Sequence, residues 1–160
     1  MGAVYSLYFN VIHTAIVVNH VDSSMIAGFI TLALLLLASG MVSGSEVAYF
    51  SLRPEDLEKL RNSRNTKEQI VTEMFGIPDK LLSTILVANN TINVTIVLLS
   101  AFLSTRLFDF SATPVLGFIV EAVVITFILL FFGEILPKVF ASRNNLTFAV
   151  RMAYPLRWMI

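Results

Sequence analysis

Phe127-Ile128-Leu129-Leu130-Phe131-Phe132-Gly133-Glu134-Ile135-Leu136-Pro137-Lys138 decides the fold of this chain. It is the end of a long apolar run that reads as lipid-embedded helix, yet it contains a carboxylate and, three residues on, a proline. A charged group inside a membrane span is costly, so it faces a partner, an ion or water rather than lipid. Proline has no backbone N–H, so in an α-helix the carbonyl four residues earlier loses its donor. That carbonyl belongs to Gly133. The motif thus predicts a carboxylate and a freed carbonyl side by side, both of them oxygen ligands for a hard cation.

Working outward, the apolar character is general. Of 160 residues, 56% are hydrophobic and 14% charged, against about 25% charged in a soluble domain. Mean hydropathy is +0.80. No Asp, Glu, Lys or Arg occurs in 23–45 or in 81–105, and Glu121 alone interrupts 110–133. Each stretch reaches the roughly 20 residues that a spanning helix needs. The sequence predicts an all-α membrane protein with spans at about 25–50, 81–105 and 114–136. A cytoplasmic connector (51–80) and a juxtamembrane tail (137–160) complete the expected 25–160 transmembrane domain.

The connector opens Arg53-Pro54-Glu55-Asp56, with proline and acids suited to a helix's first turn. Broken apolar spacing at Leu57, Leu60, Ile70, Val71 and Met74 predicts two short helices along the membrane surface. Gly76-Ile77-Pro78-Asp79 is a turn signal. Residues 1–24 read as an interfacial or extracytoplasmic segment, a fourth span being the weaker alternative, with Ser23-Ser24 capping the first span. Six Lys and Arg lie in the connector and four after the third span, against one, Arg106, between the second and third. This asymmetry predicts an N-terminus outside and a C-terminus in the cytoplasm, in a plasma (inner) membrane.

Net charge is zero, which gives no electrostatic case for nucleic acid. With no cysteine, disulfides and thiolate metal sites are excluded. No nucleophile–base pair points to an enzyme. His13 and His20 have no carboxylate cluster around them. Glu121, 13 positions before Glu134, falls about 140° away on a helical wheel and belongs elsewhere, near Arg106 or an outer vestibule. Trp158 reads as an interfacial anchor.

Polar residues break the spans at Ser43-Gly44-Ser45-Glu46, at Asn89-Asn90-Thr91-Ile92-Asn93 and at Gly133-Glu134. Ser43, Asn90 and Glu134 each stand nine or ten residues from a flanking basic residue, on the order of 15 Å along a helix. Alternating span directions bring all three to one level in the cytoplasmic half. Asn90 and Asn93 share a face, as do Ser43 and Glu46, while Gly44 and Gly133 allow close backbone approach. The expected ligands are Ser43, Asn90, Asn93, the Gly133 carbonyl and Glu134, with Asn89 and Glu46 as second choices. Such an all-oxygen set suits Mg²⁺ or another hard cation and not zinc or copper. The bland readings are interhelical hydrogen bonding by the Asn and Ser side chains, and a Glu134–Lys138 pair at i,i+4.

Together, Ser43-Gly44-Ser45-Glu46-Val47-Ala48, Leu86-Val87-Ala88-Asn89-Asn90 with Asn93, and Gly133-Glu134-Ile135-Leu136-Pro137-Lys138 resemble the transmembrane domain of the cyclin M / CorC magnesium transporters. Ala88 stands where many relatives have glycine. The resemblance covers about 25–157. It implies a homodimer in the lipid bilayer with three transmembrane helices and a juxtamembrane belt per protomer, and an intramembrane Mg²⁺ site. It further implies transport with Na⁺ as the candidate coupling ion; the expected mode is export by alternating access, with the helix break at Pro137 as a hinge. ATP-binding CBS modules would follow in the full-length chain, with no nucleotide held by this segment. The competing expectations are a carrier of Na⁺ or another cation, and a membrane anchor that dimerises cytoplasmic regulatory domains.

Overall fold

A computed structural model describes residues 17–18, 22–109 and 114–160. These are helical apart from short turns and one pair of two-residue strands, and three helices are long and apolar enough to cross a membrane. The chain is an all-α membrane protein.

The first span, α1 (Ser23–Phe50), is 28 residues long, about 42 Å at the α-helical rise. It therefore exceeds a hydrocarbon core of about 30 Å and extends beyond it. Its N-cap is Asp22 rather than the expected serines. The Asp22 carboxylate accepts 2.8 Å hydrogen bonds from the Met25 N–H and the Ser24 hydroxyl. An ionised carboxylate is the stronger acceptor for an orphan N–H, and it complements the positive end of the helix. The Met25 bond, then the Ser24 bond, hold the Asp22 carboxyl below its ordinary value. The cap's contribution is therefore full above the ordinary carboxylate range and fades as pH falls through the depressed value.

Two short helices follow, as the spacing predicts. α2 (Pro54–Arg61) has proline in its first turn, and the Arg53 N–H donates to Asp56 Oδ2 at 3.2 Å. α3 (Thr66–Phe75) is capped by Asn65, which accepts from the Lys67 N–H. The turn narrows to Gly76-Ile77, because Pro78 already serves as an early residue of the second span, α4 (Pro78–Leu107). A proline there loses no hydrogen bond, since the first N–H groups of a helix have no intrahelical partner.

Beyond α4, strand β2 (Phe108–Asp109) pairs antiparallel with β1 (Val17–Val18), Val17 opposite Asp109. Only that part of the N-terminal segment, with Asp22, is described. His13, His20 and the question of a fourth span lie outside the described residues.

The third span runs Gly117–Arg143 and is not uniform. It comprises most of α5 (Pro114–Ile128), a π-helical stretch (Leu129–Ile135) and α6 (Leu136–Arg143). The helix continues through Pro137 where the sequence reading ends the span at 136. A π turn is the reason: widening the register by one residue accommodates the proline without breaking the rod. α7 (Asn145–Met159) closes the chain.

α1 is the hub. It packs on α4, on the π stretch, on α6 and on α7, while α7 also covers α3. The close-packed core sits at the connector end, where Tyr49, Leu60, Ile70, Val71, Leu81, Ile85 and Leu156 are buried. The Tyr49 hydroxyl, wholly buried, donates to the Ala149 carbonyl at 3.3 Å. Asn145 Nδ2 donates to the Ser51 carbonyl at 2.6 Å, tying the start of α7 to the end of α1. The rest of the spans present apolar side chains outward, Phe118, Val123 and Phe127 among them. For a soluble domain such a surface would be a liability; against lipid tails it is solvated. Trp158 is 90% exposed on α7, at the connector end with the juxtamembrane helices.

Candidate cation site

The π stretch does more than bypass a proline. The Leu136 N–H reaches back five residues to the Phe131 carbonyl. α6 then opens with Ile135 as its N-cap, and a cap carbonyl takes the first α-type bond, from Val139. Three carbonyls lie between, those of Phe132, Gly133 and Glu134. The N–H groups left for them are those of Pro137, which has none, and Lys138. Two of the three carbonyls therefore lack a backbone donor. A plain α-helix would have freed Gly133 alone; the π turn widens the defect to a cluster beside it.

Small residues let α1 approach that defect. A Cβ on Gly40 would stand 2.8 Å from Pro137 Cγ and 3.3 Å from the Phe132 carbonyl oxygen. One on Gly133 would stand 3.2 Å from Ser39 Oγ. Any larger residue at Gly40 pushes the π turn away from α1.

Opposite Gly133, the Ser39 hydroxyl is fully buried. It lies 2.6 Å from Asn93 Oδ1 and 3.3 Å from Asn89 Oδ1. A hydroxyl has one proton. Three oxygens thus converge around a single proton, beside backbone carbonyls with too few donors. One turn along α1, Ser43 Oγ is, among the described residues, the one buried side-chain N or O atom with no hydrogen-bond partner. Buried acceptors short of donors are costly to leave so. Such oxygens are of the kind that a hard cation takes as ligands.

Ser39, Ser43 and Glu46 follow at i, i+4 and i+7 on one face of α1. At the connector end of this ladder, Lys138 Nζ lies 3.1 Å from Glu46 Oε2 and 3.2 Å from Glu134 Oε1. The i,i+4 pair expected as a bland reading is therefore present, and Glu46 extends it to a triad spanning α1 and the third span. Among the described residues no three His, Cys, Asp or Glu side chains converge to hold a metal. Ligand capacity here resides in hydroxyl, amide and carbonyl oxygens, with the two carboxylates at the edge.

The sequence-predicted residues divide accordingly. Asn93 and Gly133 both lie against Ser39, Glu134 pairs with Lys138, and Ser43 is buried one turn further along α1 with no hydrogen-bond partner. Asn89 faces Ser39, whereas Asn90, 100° further round an α-helix, is exposed. Ser39 is not among the ligands that the sequence predicts. The signal for it is the Ser-Gly pair of 39–40, repeated four residues on at 43–44, which places two hydroxyls and two glycines on one face. Glu121 lies apart, lining an apolar cavity of about 270 Å³ with Phe29, Leu32, Ser100, Leu103 and Val124.

The family model described as the cyclin M transmembrane N-terminal domain matches residues 29–160. Among curated proteins, a UPF0053 protein of Haemophilus influenzae is 30% identical over 142 residues, covering 82% of this chain and 33% of that protein. The UPF0053 inner membrane protein YfjD of Escherichia coli is 28% identical over 122 residues, covering 76% and 26%. A Synechocystis UPF0053 protein is 27% identical, covering 79% and 35%. The chain thus spans between a quarter and about a third of the length of these relatives.

Replacing Ser39 by Ala removes the one proton shared by Asn89 and Asn93. Unfolding in detergent, followed by circular dichroism without divalent ions, is expected to show a loss of about 1–3 kcal/mol. An unchanged midpoint would mean that the two amides find other donors.

Proposed function

This chain belongs to the cyclin M transmembrane domain family, and on that premise we propose that it carries Mg²⁺ across the membrane through the oxygen cluster between α1, α4 and the π stretch. The observation that carries the reading is the shortage of hydrogen-bond partners there. Ser43 Oγ is buried without a partner, Ser39 shares one proton with two amide oxygens, and the π turn leaves carbonyls beside Gly133 without donors. Mg²⁺ prefers six oxygens and sheds water reluctantly. A set of mostly neutral oxygens with one nearby carboxylate, Glu134, binds it weakly enough to release it, which carriage requires.

In this reading Ser43, Asn93, the Gly133 carbonyl and Glu134 are ligands, joined by Ser39 and Asn89 where the sequence alone points to Asn90. Transport is export by alternating access, with Na⁺ as coupling ion at a place other than Glu134. Pro137 and the π stretch form the element that changes register, since a π turn and an α turn differ by one residue and interconvert by local sliding. The chain works as a homodimer whose apolar outer faces meet lipid and a second copy, and ATP-binding CBS modules act on it from the cytoplasm. The basic connector lies on the cytoplasmic side, in keeping with the excess of Lys and Arg in 53–80.

Reconstituted in liposomes, Ser43→Ala and Glu134→Ala should lose Mg²⁺ flux by tenfold or more, about 1.4 kcal/mol for each factor of ten, while eluting from size exclusion as the wild type does. Normal flux in both variants would end the ion-site reading. A broken assembly with flux per folded molecule intact would favour helix glue. Because the sequence has no cysteine, Asn62→Cys reports topology on its own. It should react with an impermeant maleimide only after the cytoplasmic face is opened, and labelling of intact cells would invert the proposed orientation.

A further inference from the structure

Lys138 sits where a cation belongs. Its ammonium bridges Glu46 on α1 and Glu134 in the π stretch at 3.1 and 3.2 Å, at the end of the Ser39–Ser43–Glu46 ladder. Glu134 is thus held by a cation that belongs to the chain itself. We propose that Lys138 is a tethered competitor for Glu134 that sets the preference for divalent over monovalent ions; the proposal rests on the Mg²⁺ reading above.

The competition is an exchange of charges. A group attached one helical turn from its partner competes at a high effective concentration, of millimolar order for flexible tethers. A monovalent ion arriving at Glu134 replaces one positive charge with one positive charge. It gains nothing in Coulomb energy and still has to shed water. A divalent ion replaces one charge with two, and its attraction to the carboxylate is twice as large at equal distance. Specificity of this kind comes from penalising the wrong partner rather than from improving the right one.

Glu46 makes the exchange feasible. A buried or half-buried ammonium cannot be displaced into nothing, because an unpaired charge at that depth is costly. All three side chains of the triad are about one-third exposed, and Lys138 already contacts Glu46 on the opposite helix. When Glu134 turns to the ion, the ammonium stays on Glu46, and its four-carbon stem lets the head move toward the connector end. Glu46 holds the displaced lysine and does not ligate the ion. That distinguishes it from Glu134, although both carboxylates touch the same nitrogen.

The test is Mg²⁺ titration calorimetry on the purified wild type and on Lys138→Met, each in choline chloride and in about 150 mM Na⁺ at matched ionic strength. The wild type should bind Mg²⁺ with nearly the same affinity in both salts. Lys138→Met should bind about tenfold more tightly in choline, its competitor gone, and lose that gain in Na⁺, which now reaches Glu134 unopposed. Lys138→Arg should restore indifference to Na⁺. Unchanged or weaker Mg²⁺ binding by a folded Lys138→Met, with indifference to Na⁺ retained, would reduce the lysine to a structural clamp and overturn the proposal. If the methionine variant does not fold, Lys138→Gln in the same two salts separates the same two outcomes. Mg²⁺ binding by the wild type without the variant's response refutes this proposal alone; no Mg²⁺ binding by the wild type refutes both it and the Mg²⁺ reading.

Discussion

The structure depends on one shortage of backbone donors. Between the π-type bond that ends on Phe131 and the α-type bond that begins on Ile135, three carbonyls face the N–H of Lys138, because Pro137 supplies none. Inside a bilayer there is no water to make up the difference, so the segment has to lie against protein or a polar site. Gly40 and Gly133 bring α1 against it, and Ser39, which also meets Asn89 and Asn93 of α4, faces Gly133. The defect and the polar faces of the other two spans explain each other. Neither would be tolerated against lipid.

Packing follows the same logic. The core that holds the helices together is at the connector end, around Tyr49, Leu81 and Leu156, with α2, α3 and α7 as a collar. Around Gly40 and Gly133 the contacts between spans are small and polar, while many apolar side chains of the spans point outward. Hydrophobic burial cannot drive association between lipid-solvated helices, so close approach and hydrogen bonding have to.

Much of this is legible in the sequence. Charge-free stretches locate the three spans, and counting residues from the basic flanks singles out Ser43, the asparagines and Glu134 as residues to inspect together. What periodicity misses has physical causes. A fixed 100° step cannot foresee a π stretch, so it predicts one orphan carbonyl where the widened turn leaves two. Asn89, Asn90 and Asn93 offer two similarly spaced pairs, and only the packing of α4 on α1 turns Asn89 rather than Asn90 inward. Ser39 reads as one more hydroxyl in an apolar run; its significance lies in the i,i+4 repeat of the Ser-Gly pair. Asp22 displaces the serines as cap because its carboxylate reaches the Met25 N–H.

The central claim is that the proton-poor oxygens hold the transported ion. Mn²⁺ is a hard, oxygen-seeking ion like Mg²⁺, and it scatters anomalously. Crystals of the protein grown with Mn²⁺ in place of Mg²⁺ should show one anomalous peak per chain, within coordination distance of Ser43 Oγ, Asn93 Oδ1 and the Gly133 carbonyl. A peak found only at the surface carboxylates of the connector, with none between α1, α4 and the π stretch, would contradict that claim.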